Sequence, residues 1–203
     1  GHTSKHIKEM YGQIRFGYMH NAIEDPAVND WMSKKFLGLR NVAQEMYDKQ
    51  FAKENAELGT PEVVAIARKL GYWPKFAQFG SEVIRHWHQG RYSATLDPDV
   101  KRALTMTEYF FDRSRTAIPS TTAWDEGAIV RCARRRYETN NEHVWPEVKR
   151  LVELDLKIEA GKQAMKDMLK KAATREEQKR TLENEFDPAR REQIEREIST
   201  LDK

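Results

Sequence analysis

The sequence predicts an all-α fold, and three observations carry that prediction. Four prolines directly follow residues that cap helices, at Asp25-Pro26, Thr60-Pro61, Asp97-Pro98 and Asp187-Pro188. The side-chain oxygen of such a cap accepts a first-turn N–H, and proline at the first helical position gives up a donor that has no intrahelical partner. Apolar residues then recur at three- and four-residue spacing after every pair. Alternation with a period of two is nearly absent, and Tyr92 to Leu96 is the one short strand candidate.

Taken in order, Ile7, Met10, Tyr11, Ile14, Tyr18 and Met19 share one stripe of a first helix, and Asn21 to Glu24 read as a break. After Asp25-Pro26 the apolar positions from Val28 to Phe51 predict a long amphipathic helix, with an interruption at Gly38 and closure at Gly59. Thr60-Pro61 opens a short helix bearing Val64, Ala67 and Leu70, ended by Gly71. Tyr72-Trp73-Pro74 turns into an apolar stretch from Phe76 to Trp87, which Gln89-Gly90-Arg91 breaks. Asp97-Pro98 starts a helix through Phe110, and another spans about Trp124 to Tyr137 after the loop at Ile118 to Thr122. Trp145-Pro146-Glu147 begins the last large segment.

Composition changes at that point. All five tryptophans precede Pro146, whereas Phe186 is the single aromatic residue after it. Overall, 33% of residues are charged and 39% hydrophobic, against roughly 25% and 45–50% in ordinary domains, so part of the chain is solvated or covered by a partner. The expected organisation is a compact, aromatic-rich multi-helix domain over 3–145, followed by an extended charged arm over 146–203. In the arm a long helix and a short return helix form a coiled-coil-like hairpin. Leu151, Leu154, Ile158, Met165 and Met168 alternate at heptad spacing, Leu182 and Phe186 resume the seam, and Ile194 and Ile198 share a face after Asp187-Pro188. A stripe this narrow buries little by itself, so these nine residues are assigned to an oligomer or partner interface.

The formal charge of +3 is too small to imply a polyanion partner, and only clustering of basic residues carries that inference. Cys132 is the sole cysteine, which excludes an internal disulfide and a cysteine-rich zinc site. With no membrane-length apolar run and no signal-peptide core, the expected setting is soluble, cytoplasmic and reducing. His86-Trp87-His88 points two imidazoles apart on a helix, and Glu82, one turn before His86, finds no matching pair elsewhere, so neither a metal nor a cofactor is assigned.

Two basic segments supply candidate nucleic-acid contacts. The stretch from Val63 to Arg85 resembles a helix-turn-helix: Ala67 stands at the helix crossing, Gly71 at the turn, and Lys75, Gln78 and Arg85 on the second helix. Gly80 falls where that motif usually has an apolar anchor. The second segment holds Arg131, Arg134 and Arg135, of which Arg131 and Arg135 lie one turn apart and present planar donors to one side. The leading expectation is therefore a non-enzymatic, helical, nucleic-acid-associated protein, with DNA or RNA as partner, that oligomerises or docks through its arm. The alternative is an assembly adaptor, a subunit of a viral or multi-protein complex without nucleic-acid contact. A third reading comes from Arg136 to His143, which resembles the arginine–histidine motif of HEPN-type ribonucleases, as does Arg15 to His20. That resemblance implies metal-independent RNA cleavage, and no catalytic residue is assigned from it.

Overall fold

A computed structural model describes residues 4–51, 71–184 and 188–201, all of it helices and connecting turns, with no strand among them. The all-α expectation holds, and Tyr92 to Leu96 is an irregular connection. Gly59, the expected closure of the long helix from Val28, the expected Thr60-Pro61 helix, and Phe186 and Asp187 lie outside the described residues. The helices are α1 (Ser4–Tyr11), α2 (Phe16–Lys35), α3 (Leu37–Gln50), α4 (Lys75–Gln89), α5 (Pro98–Arg115), α6 (Glu126–Thr139), α7 (Trp145–Asn184) and α8 (Pro188–Leu201). A π-type turn, Asn140–Val144, joins α6 directly to α7. No helix among the described residues is long and apolar enough to cross a membrane.

The chain divides into two compact units, residues 1–155 and 156–203, so the division falls ten residues beyond the compositional boundary. Val148, Leu151 and Val152 explain the difference: they extend past Pro146 in sequence, yet they are buried in the first unit's core.

Local chemistry accounts for three of the helix ends. Asp97 Oδ1 accepts the Asp99 N–H at 2.9 Å, with Pro98 at the first position of α5. Asp125 Oδ1 likewise accepts the Ala128 N–H at 3.0 Å to start α6. Gly90 closes α4 in the left-handed region (φ 67°) and donates its N–H to the His86 carbonyl.

Asp25-Pro26 behaves differently from its expectation. The first break comes early, at Arg15 (φ 67°), and α2 then runs without interruption through Asn21 to Glu24 and through Pro26. Tertiary burial overrides the cap signal: Met19, Ala22, Ile23, Pro26 and Ala27 are all buried, and breaking the helix among them would expose that face. The next break falls at Phe36, whose extended backbone (φ −129°, ψ 96°) separates α2 from α3, in place of Gly38.

The main core gathers Phe16, Phe76, Phe79, Leu104, Phe111, Tyr137, Trp145 and Leu151, with a satellite cluster of Tyr47 and Phe51 against Trp73, Ile84 and Trp87. Gly80 is where α2 and α4 approach most tightly, since a Cβ there would lie 2.7 Å from Tyr18 Cε1. Its lack of a side chain thus serves a helix crossing.

In the second unit, Gln178 Nε2 donates to Glu197 Oε2 at 3.2 Å, and Ile194 is buried. Gln178 and Glu197 flank the connection between α7 and α8, as in a helix that folds back on its predecessor.

Candidate functional site

The basic helix α6 divides its arginines between two environments. Arg136 turns inward and is engaged at three nitrogens: Nε and Nη2 donate to the Glu24 carboxylate at 2.7 and 2.8 Å, and Nη1 donates to the Ala117 carbonyl at 2.7 Å. Arg131, Arg134 and Arg135 are exposed and make no ion pair among the described residues. Arg131 folds back over the first turn of α6, where its Nη1 would stand 3.1 Å from a Cβ at Gly127. These three guanidinium groups are free to meet an anion.

The other proposed contacts are not free. Arg85 is fully buried, paired with Glu82 at 3.4 Å and stacked over the Phe51 ring at 4.7 Å. Glu82 in turn accepts the Ser93 N–H at 2.7 Å and the Ser93 hydroxyl at 2.6 Å, which ties α4 to the following loop. Lys75 is held between Asp97 and Asp99, and Arg150 reaches Asp99 at 3.1 Å from α7. Burial opposes the charge on Lys75, but its hydrogen bonds to Asp97 and Asp99 outweigh burial and raise its pKa. Gln78 Nε2 donates to the Trp73 carbonyl at 3.0 Å. The expectation that α4 is a recognition helix is therefore corrected: the side chains meant for phosphates and bases are used to fix the start and the inner face of the helix. Its proposed first half, from Val63 to Leu70, lies outside the described residues.

In each HEPN-like segment one of the two motif residues is buried and the other exposed. Arg136 is consumed as described, while His143 stacks on Phe110 at 4.2 Å. In the earlier match, Arg15 lies over the Phe76 ring at 5.0 Å. His20 is buried with Asn140 Nδ2 3.1 Å from its Nδ1. Burial lowers the His20 pKa; Glu24 opposes this effect and Arg136 reinforces it.

The nine seam residues separate into groups. Leu151 is buried and Leu154 partly buried against the first unit's core, so neither is available to another chain. Ile158, Met165 and Met168 are exposed, the last two by 60% and 67%, and every residue over 160–174 is exposed. Leu182 and Ile198 are half-buried and Ile194 buried within the second unit. Leu169, 64% exposed beside Met165, belongs to the same uncovered stripe, and strict heptad spacing passes over it.

Sequence reasoning also missed a cluster at the α4–α5 contact, His86 with Glu108 and Asp112. Glu108 and Asp112 stand one turn apart, a spacing equally at home on any solvated helix, and only the packing of α4 on α5 brings a histidine to them. No family model, curated protein or solved structure matches this chain.

Proposed function

We propose that this protein is a helical assembly adaptor, with the first unit as a folded body and the exposed stretch of α7 as a docking rail for a partner protein. One observation carries the reading: Ile158, Met165, Met168 and Leu169 form an exposed apolar stripe, interrupted at Gly161, on a helix that no described residue covers. Uncovered stripes of this kind mark interaction surfaces, because solvated helices otherwise keep such positions polar. Lys162, Lys166 and Lys170 run alongside the stripe, and residues 156–175 contain six basic and two acidic residues. A second copy laid in register would oppose lysine with lysine, whereas an acidic amphipathic helix would match both the stripe and the charge.

The test is a titration with two designed helical peptides of equal hydrophobicity, one glutamate-rich and one lysine-rich, alongside light scattering of the protein alone. Preferential binding of the acidic peptide, lost in Met165→Glu/Met168→Glu, supports the adaptor. Equal binding of both peptides overturns it, as does a stable homodimer that the same substitutions dissociate.

A second reading, nucleic-acid association, rests on Arg131, Arg134 and Arg135, which are exposed with no carboxylate partner among the described residues. Three phosphate contacts would give binding that weakens steeply with salt, and removing two arginines would lower that salt slope by about 2. A gel shift with mixed DNA and RNA across a salt series checks it, and the absence of any shift at low salt would exclude it.

A further inference from the structure

We infer that His86, Glu108 and Asp112 form a binding site for a divalent first-row transition ion, independent of the docking rail. His86 sits near the end of α4, and Glu108 and Asp112 are one turn apart on α5. His86 Nε2 lies 4.0 Å from Glu108 Oε1 and 3.6 Å from Asp112 Oδ2, and the three ligand atoms are all within 4.8 Å of one another. Ligands about 2.1 Å from a shared ion stand roughly 3–3.4 Å apart, so small side-chain rotations close the set.

The surroundings fix the ligands in place. The His86 ring stacks on Tyr92 at 4.7 Å and meets the edge of Phe111 at 6.1 Å. Tyr92 donates its hydroxyl to Glu108 Oε2 at 2.8 Å, and Arg115 Nη2 donates to Asp112 Oδ1 at 3.3 Å. Each carboxylate thus has its outer oxygen held by a protein donor while the other oxygen faces the imidazole, which is how a supporting shell orients metal ligands. Glu108 and Asp112 also line an open depression with Thr105, Tyr109 and Thr116, which leaves room for water in the remaining coordination positions.

Sequence spacing had suggested Glu82 as the companion of His86. The structure commits Glu82 to Ser93 and Arg85, and supplies carboxylates from the neighbouring helix in its place.

One imidazole nitrogen with two carboxylate oxygens suits Zn²⁺, Co²⁺ or Mn²⁺ better than a soft ion. Affinity should be modest. Binding through Nε2 places the ring proton on Nδ1, which is buried without a hydrogen-bond partner among the described residues, and a missing second-shell acceptor costs 10- to 100-fold.

The experiment titrates the full chain with Zn²⁺ against a chromophoric chelator and, separately, records the visible ligand-field absorption of added Co²⁺. The expected result is one saturable site, weakened at least tenfold by Asp112→Asn and by Glu108→Gln. His88→Ala, which alters a histidine paired with Asp48 on another surface, should leave it unchanged. Far-UV circular dichroism of each variant confirms that the fold survives. No saturable binding, or binding that Asp112→Asn and Glu108→Gln leave intact in folded protein, overturns the site.

Discussion

Asp155 caps a helix far from it in sequence, its Oδ2 accepting the Phe76 backbone N–H at 3.1 Å. Oδ1 accepts the adjacent Lys75 N–H at 3.0 Å, and the carboxylate is buried at the first turn of α4. Pro74, the residue in the capping position, has no side-chain acceptor to offer. A carboxylate from α7 therefore satisfies orphan donors that the local sequence leaves open, and its negative charge faces the positive end of the α4 dipole. Asp155→Ala should cost about 2 kcal/mol, at the upper end for a lost cap because two N–H groups, one buried and one part-buried, lose their acceptor together. Urea denaturation followed by circular dichroism measures it.

At Gly80, an added methyl group must displace the Tyr18 ring. Gly80→Ala is expected to destabilise by about 1–3 kcal/mol despite its better helix propensity. Combining it with Tyr18→Leu should recover part of that loss, and a double-mutant cycle in denaturant reads the coupling.

The arginines of α6 should differ sharply in stability. Arg136→Ala strands the Glu24 carboxylate and the Ala117 carbonyl and should cost about 3 kcal/mol. Arg131→Ala, at an exposed and unpaired site, should change stability by no more than about 0.5 kcal/mol. Thermal melts of the two single variants, run side by side, make the comparison.

His20 sets an acid limb. Its folded pKa lies below the ordinary value, mainly through burial, so the unfolded chain binds more protons between that folded value and about 6.5. Its contribution is fully present above the unfolded pKa and is lost as pH falls through this window. Stability measured between pH 7 and pH 5 should fall in the parent protein, and His20→Gln should flatten the slope.

Much of the fold was legible because it is written locally. Asp97-Pro98 and Asp125 cap their helices through bonds to residues two and three places ahead, and Gly90 supplies a positive φ that few residues tolerate. Asp25-Pro26 carried the same local signature and misled, since burial of Ile23 and Ala27 keeps α2 intact across it. The candidate contacts were less legible for a related reason. Sequence gives Arg85 and Arg131 the same chemistry, and only tertiary packing makes one a buried partner of Glu82 and the other an open guanidinium. Leu151 and Met165 likewise share one periodic stripe, yet Leu151 is buried in the first unit's core and Met165 is exposed.

The turn at Asn140–Val144 works as a phase adjuster. One surplus residue is absorbed within the turn, so the helix that follows keeps the direction it would have if that residue were absent. It also widens the coil where Pro146 has no N–H to give. Deleting a single residue there would convert it to an ordinary α-turn and leave the aromatic and aliphatic side chains that follow facing the core. The chain's tolerance to a single-residue deletion should thus be greater at this turn than within α6 or α7 on either side of it.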